Sequence, residues 1–182
     1  MTTHKNPWQK KSEKVIYSNP WIDVREDKVI NPSGNESIYG VVSFRNRAAG
    51  IVALDEKNNI WLVGQYRYPL DIYSWELPMG GSPLDEDILS SAKRELKEET
   101  GLSAKNWEKI CRIHTSNSVT NEEGFIYLAT DLSEGETEFD ETEKLEIRKL
   151  PLSDAIDMVM NNEITDAISI AGILKAARLK GV

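Results

Sequence analysis

Glu95 and Glu99 stand four residues apart, with Glu98 between them. On a helix that spacing puts Glu95 and Glu99 one turn apart on one face, with Glu98 on the adjoining edge. Carboxylates gathered in this way suit a hard divalent cation such as Mg²⁺, which takes a few carboxylate oxygens and keeps waters and phosphate oxygens as its other ligands. The bare pattern also describes a solvated acidic face, because like charges at this spacing cost only ~0.2–0.5 kcal/mol when exposed. Ala92, Leu96 and Leu89 fall in a neighbouring sector that can face a sheet, while Lys93 and Lys97 point elsewhere.

The elements that must position these groups follow from pattern and punctuation. The acidic strip belongs to a helix read over 82–101, with Pro83 and the run Asp85-Glu86-Asp87 at its start and Gly101 at its stop. Two or three strands precede it over 14–18, 21–30 and 37–44, with a hairpin turn at 31–35. A unit of that size hides both faces of its sheet poorly and should pack on the rest of the chain or on a second copy. Further strands are read over 51–54, 60–66, 71–77, 107–113, 124–129 and 144–150. Closing helices are read over 153–161 and 165–180, with Ser153 and Thr165 as N-caps and Ile168, Ala171, Ile173 and Leu174 as an apolar stripe. The sum is an α/β chain with helices packed on a mixed sheet.

Composition narrows the function. The chain has 182 residues and a formal charge of −8, with 40% apolar residues, enough to build a core without staples. The acidic balance argues against a nucleic-acid-tracking surface. Cys111 is the single cysteine, so no internal bridge forms; it reads as a buried strand residue, and a reducing cytoplasm fits. Nowhere do ~18 apolar residues run together, so no spanning helix and no membrane partner are expected, nor, from the polar stretch over 1–14, a signal peptide.

The wider spacing decides between metal site and solvated face. Gly80, Glu86, Arg94-Glu95-Leu96, Glu98-Glu99, Gly101 and Leu102 form one fixed pattern over 23 residues. At average residue frequencies it recurs by chance on the order of once in ten million chains of this size. The run resembles the signature of the Nudix hydrolases, with no departure at any fixed position. The resemblance implies a Nudix α/β/α sandwich around a mixed sheet, and Mg²⁺- or Mn²⁺-dependent hydrolysis of a nucleoside diphosphate linked to another group. By position it assigns Glu95, Glu98, Glu99 and the backbone carbonyl of Met79 to the metal. It assigns Arg94 to orienting a carboxylate, and Glu86 to bracing the loop on the helix.

The flanks resemble the ADP-ribose pyrophosphatase and nucleoside diphosphate sugar hydrolase branch. Arg67, in Gln65-Tyr66-Arg67-Tyr68, and Glu76, in Trp75-Glu76-Leu77-Pro78, would meet the substrate beside the metal; a guanidinium fork holds two phosphate oxygens at once. Residues 1–45 are similar to the small N-terminal antiparallel β subdomain of these enzymes, which mediates homodimerisation; 46–182 would be the hydrolase domain. Trp21 and Tyr39 are candidate base-stacking rings, or else fill the hairpin interface. Downstream, Glu141 first and Glu143 second would serve as the general base. Selective members carry a proline some sixteen residues past the box, and 114–120 has none. The expected activity is therefore a broad nucleoside diphosphate sugar hydrolase accepting ADP-ribose and GDP-mannose. The alternatives are an ADP-ribose-specific enzyme and a noncatalytic nucleotide-sensing domain.

Overall fold

In a computed structural model of the chain, residues 4–137 and 145–182 are described. They divide into two compact units, one running to Asn46 together with Ser116–Glu122, the other holding Arg47–Thr115 and Glu123–Val182.

The first unit is a three-stranded antiparallel sheet in the order β1 (Gln9–Ser18), β2 (Ile22–Ile30), β3 (Glu36–Phe44). Strand β1 begins five residues before the expected 14, because Gln9 and Lys10 already pair with Ile30 and Val29. Asn31 makes the β2–β3 turn by accepting from Ser33 and Asn35 amides at 3.0 Å each, the Asx chemistry its position suggests. The returning segment 116–122 adds Thr120 beside Val42, and Asn121 accepts from the Phe44 amide at 2.8 Å.

The second unit has two sheets and three helices. One sheet runs β7 (Met79–Pro83), β4 (Asn46–Ala53), β9 (Gly124–Glu134), β8 (Leu102–Ile113), with β4 and β9 parallel and β8 and β9 antiparallel. The other runs β10 (Glu146–Pro151), β5 (Asn59–Arg67), β6 (Ile72–Glu76), all antiparallel. Period-two alternation splits the core in two. Ala49, Ile51 and Ala53 of β4, with Trp61, Tyr127 and Ala129, pack under α1 (Ile88–Thr100) around Ala92 and Leu96. Val52, Leu54, Leu62, Ile126 and Leu128 pack with α2 (Leu152–Met160) and α3 (Ala167–Lys180). Helices thus pack on both sides, giving an α/β/α sandwich built on one mixed and one antiparallel sheet, with a small antiparallel β unit before it in the chain.

Local punctuation corrects the helix starts. Helix α1 begins at Ile88, six residues after the expected 82, because Pro83 still belongs to β7 and the Glu86 amide closes a turn onto the Pro83 carbonyl. Of the acidic run only Asp87 acts on the helix, accepting from the Ser90 amide at 3.0 Å. Gly101 ends it in the left-handed region at φ 71°, returning its N–H to the Lys97 carbonyl. Helix α3 is capped by Asp166 rather than Thr165, and α2 follows Pro151 with no side-chain cap, so Ser153 is not one. Cys111 is only half-buried.

Candidate active site

The strip that α1 presents beside β7 is not a solvated face. Glu99 is 2% exposed and Glu95 9%, whereas Lys93 and Lys97 on the opposite side are open to solvent. A buried carboxylate is retained only with partners. Glu99 Oε2 accepts the Met79 amide at 2.9 Å. Arg94 lies 2.8 Å from Glu95 and 2.8 Å from Glu98, and it also donates to the Gly81 carbonyl at 3.3 Å. Burial of the guanidinium is outweighed by these two carboxylates, which hold its pKa above the ordinary arginine value. Gly80 lets β7 approach α1 closely, since a Cβ at that position would fall on the Glu95 carboxylate and force it aside. Glu86 contributes through its backbone: Arg47 donates to the carbonyls of Pro83 and Glu86 and so staples the loop that leads into α1.

A second constellation comes from the β5–β6 hairpin. Its register sets Val63 opposite Glu76 and Arg67 opposite Ile72, bringing the Arg67 fork onto the Glu76 carboxylate in a two-point pair, with Nε to Oε1 at 2.9 Å and Nη2 to Oε2. The Glu76 side chain is 3% exposed and that of Arg67 37%, so the arginine keeps an open edge. The hydrogen bond to Glu76 pushes the Arg67 pKa up against the cost of burial, and Asp166 and Glu99 add to it through charge. Arg67 and Glu76 line a cleft of about 190 Å³ with Pro69, Leu70, Ser74, Thr165 and Asp166.

In the N-terminal unit the ring set against Tyr39 is Trp8, edge-to-face at 5.2 Å, and the Tyr39 hydroxyl donates to the Ser118 carbonyl at 2.6 Å. Both rings line a cavity of about 290 Å³ with Asn6, Lys10, Asp27 and Val29. Trp21 is 68% exposed and sits beside Ile22, which pairs with Phe44, while Tyr39 pairs with Asp27 farther along β2. A tryptophan inside an otherwise polar lead-in was the available signal for Trp8. Glu141 and Glu143 lie outside the described residues.

The donor set fits a hard cation: carboxylate and carbonyl oxygens, no thiolate and no imidazole. Among the described residues no three Asp, Glu, His or Cys side chains stand close enough to cage an ion.

Residues 44–169 match the NUDIX domain, and residues 8–42 match the nucleoside diphosphate sugar hydrolase N-terminal domain. The chain belongs to the Nudix family. Among Nudix relatives, it is 34% identical to an ADP-ribose pyrophosphatase of Bacillus subtilis (strain 168), over 86% of this chain and 85% of that one. It is also 34% identical to an ADP-ribose pyrophosphatase of Mycobacterium tuberculosis (strain ATCC 25618 / H37Rv), over 90% of this chain and 80% of that one. The fold matches a crystal structure of an ADP compounds hydrolase with a TM-score of 0.86 at 20% identity, covering 99% of this chain and 98% of the other. The chain is thus a Nudix hydrolase, and Nudix hydrolases generally use divalent metal ions. No helix among the described residues is long and apolar enough to cross a membrane.

Proposed function

We propose that this Nudix hydrolase cleaves the pyrophosphate bond of nucleoside diphosphate sugars, ADP-ribose and GDP-mannose among them, to a nucleoside monophosphate and a sugar phosphate. The observation that carries the reading is the burial of Glu95 and Glu99 beside Met79 and Gly80, next to an Arg67 that keeps one edge open.

Glu95, Glu98, Glu99 and the Met79 carbonyl would hold Mg²⁺ or Mn²⁺. A bound divalent cation supplies Lewis acidity at the phosphoryl oxygens and lowers the pKa of water. Arg94 keeps Glu95 and Glu98 oriented through its two ion pairs. Arg67, already fixed by Glu76, offers its exposed edge to diphosphate oxygens, so little side-chain entropy remains to be lost on binding. Glu141, or failing it Glu143, takes the proton of the attacking water. Trp21 and Tyr39 would be the stacking rings for the base, drawn from one subunit or from two; stacking is worth ~1–3 kcal/mol per base.

The three-stranded unit leaves Val15, Ile16, Tyr17, Trp21 and Ile38 exposed, which supports a homodimer formed through residues 1–45. The lone cysteine supports a reducing cytoplasm as its compartment.

The names of the two 34%-identical relatives favour a second reading, an ADP-ribose-selective enzyme. A panel of ADP-ribose, GDP-mannose and UDP-glucose with Mg²⁺, read by product identity, separates the two. Nucleoside monophosphate from several substrates is the expected result. Turnover of ADP-ribose alone selects the narrower enzyme, and release of monophosphate from none contradicts both.

A further inference from the structure

Resting on the reading of Glu95, Glu99 and Met79 as the cation's holders, we propose that Ser169, held by Asp166, is a positioning residue that sets the Met79 carbonyl for that cation. The segment Leu77-Pro78-Met79 links the Arg67–Glu76 hairpin to the carboxylate strip, and its backbone is tied group by group. The Leu77 amide lies beyond the last β5–β6 rung, the pair Val63 and Glu76, and it donates instead to Ser169 Oγ at 2.9 Å. Pro78 has a fixed φ and no amide, and its carbonyl accepts the Ile51 N–H at 2.9 Å. The Met79 amide donates to Glu99. The Pro78–Met79 peptide, which directly precedes the plane carrying the Met79 carbonyl, is thus held at both its carbonyl and its amide, and the Leu77 amide is anchored just before it.

Ser169 is fully buried in the first turn of α3. A buried hydroxyl is costly unless it is bonded. Here it accepts from Leu77 and donates to Asp166 Oδ2 at 2.8 Å, while its own amide reaches the same oxygen at 2.7 Å. The order is Leu77 N–H to Ser169 Oγ–H to the Asp166 carboxylate, a relay whose charged end strengthens the bond to Leu77. One turn on, Gly172 lets the helix approach the same segment: a Cβ there would meet Leu77 Cδ1 at 2.6 Å. Asp166 also lines the cleft beside Arg67 and Glu76, so one helix start borders that cleft and bonds the Leu77 amide.

Ser169→Ala removes the acceptor of the Leu77 amide and leaves the Asp166 cap in place. Mn²⁺ affinity of the substrate-free protein, measured by calorimetric titration, should weaken roughly tenfold, the scale of outer-shell losses at metal sites. The half-saturating Mn²⁺ for turnover should rise in step while kcat at saturating Mn²⁺ holds, a split that mere loss of stability does not produce. Unchanged Mn²⁺ affinity in the folded variant overturns the proposal, whatever happens to its urea midpoint. Should Ser169→Ala fail to fold, Asp166→Asn keeps a capping oxygen and removes the charge: weaker Mn²⁺ binding then supports the relay and unaltered binding overturns it. Glu99→Gln separates the levels. If the unaltered chain binds Mn²⁺ no better than Glu99→Gln, the metal reading fails and takes the proposal with it. If Glu99→Gln loses binding and Ser169→Ala does not, only the proposal fails.

Discussion

Two arginine–glutamate groups lie in the same unit and solve opposite problems. Arg67 and Glu76 are one base and one acid locked fork to fork across neighbouring strands, an arrangement that balances its own charge. On α1 a single Arg94 stands among Glu95, Glu98 and Glu99, two of them buried. The first group is complete without a ligand; the second gathers more negative oxygen than its arginine neutralises. On the proposed reading, the difference separates a substrate clamp that must be rigid from a cation site that must stay electronegative.

The comparison breaks most sharply at Glu99. Glu99→Gln should lower turnover by roughly a thousandfold or more, several kcal/mol of barrier, with the urea unfolding midpoint held or raised, because a like charge has been removed. Near-normal turnover would return α1 to the status of an acidic face. At the clamp the dominant effect should be stability. Arg67→Ala strands the buried Glu76 carboxylate and should cost about 2–3 kcal/mol by urea unfolding at neutral pH, toward the low end for a buried pair because Arg67 is partly exposed. A loss no larger than that of an ordinary surface substitution contradicts the pairing.

Gly80→Ala tests the close approach of β7 to Glu95. The added methyl must displace that carboxylate, costing ~1–3 kcal/mol as overpacking does, and turnover should fall with it. A fully active, fully stable variant would show the carboxylate free to move away.

The smallest effect belongs to a carboxylate remote from both groups. Asp55 closes the β4–β5 turn; burial pushes its pKa up, but bonds from the Asn59 side chain and amide, Lys149 and the Lys57 amide outweigh this and hold it at about 2. Its folded pKa lies below the unfolded value, so its contribution is present above about pH 4 and lost as pH falls through about 2. Asp55→Ala should cost on the order of 1 kcal/mol at pH 7, less than the full shift implies because water screens the site. The gap from the unaltered chain should narrow at pH 3, with turnover at pH 7 untouched. A gap that widens at acid pH contradicts the sign.

What the sequence revealed follows from the range of each interaction. The carboxylate strip was legible because a helix repeats every 3.6 residues and most of the fixed pattern lies within one loop and helix. The start of α1 was not, because Pro83 and the acids after it suit the exit of a strand as well as the entry of a helix, and the turn onto the Pro83 carbonyl decided it. Arg67 and Glu76 were readable as residue types, but their pairing depends on the β5–β6 register. Trp8 lies inside a polar stretch that gives no sign of its edge-to-face contact with Tyr39. Ser169 was invisible: its bond to Leu77 spans 92 positions, and a serine inside an apolar stripe announces nothing until the strand it holds is known.

The central claim is that the α1 strip acts through a divalent cation on a pyrophosphate. It is tested most directly by following nucleoside monophosphate release from ADP-ribose with Mg²⁺ and again after chelation. The account predicts monophosphate and sugar phosphate in equal amounts, arrested by the chelator and restored by excess Mg²⁺. Cleavage that continues in the chelator, or that yields inorganic phosphate in place of a nucleoside monophosphate, would contradict it.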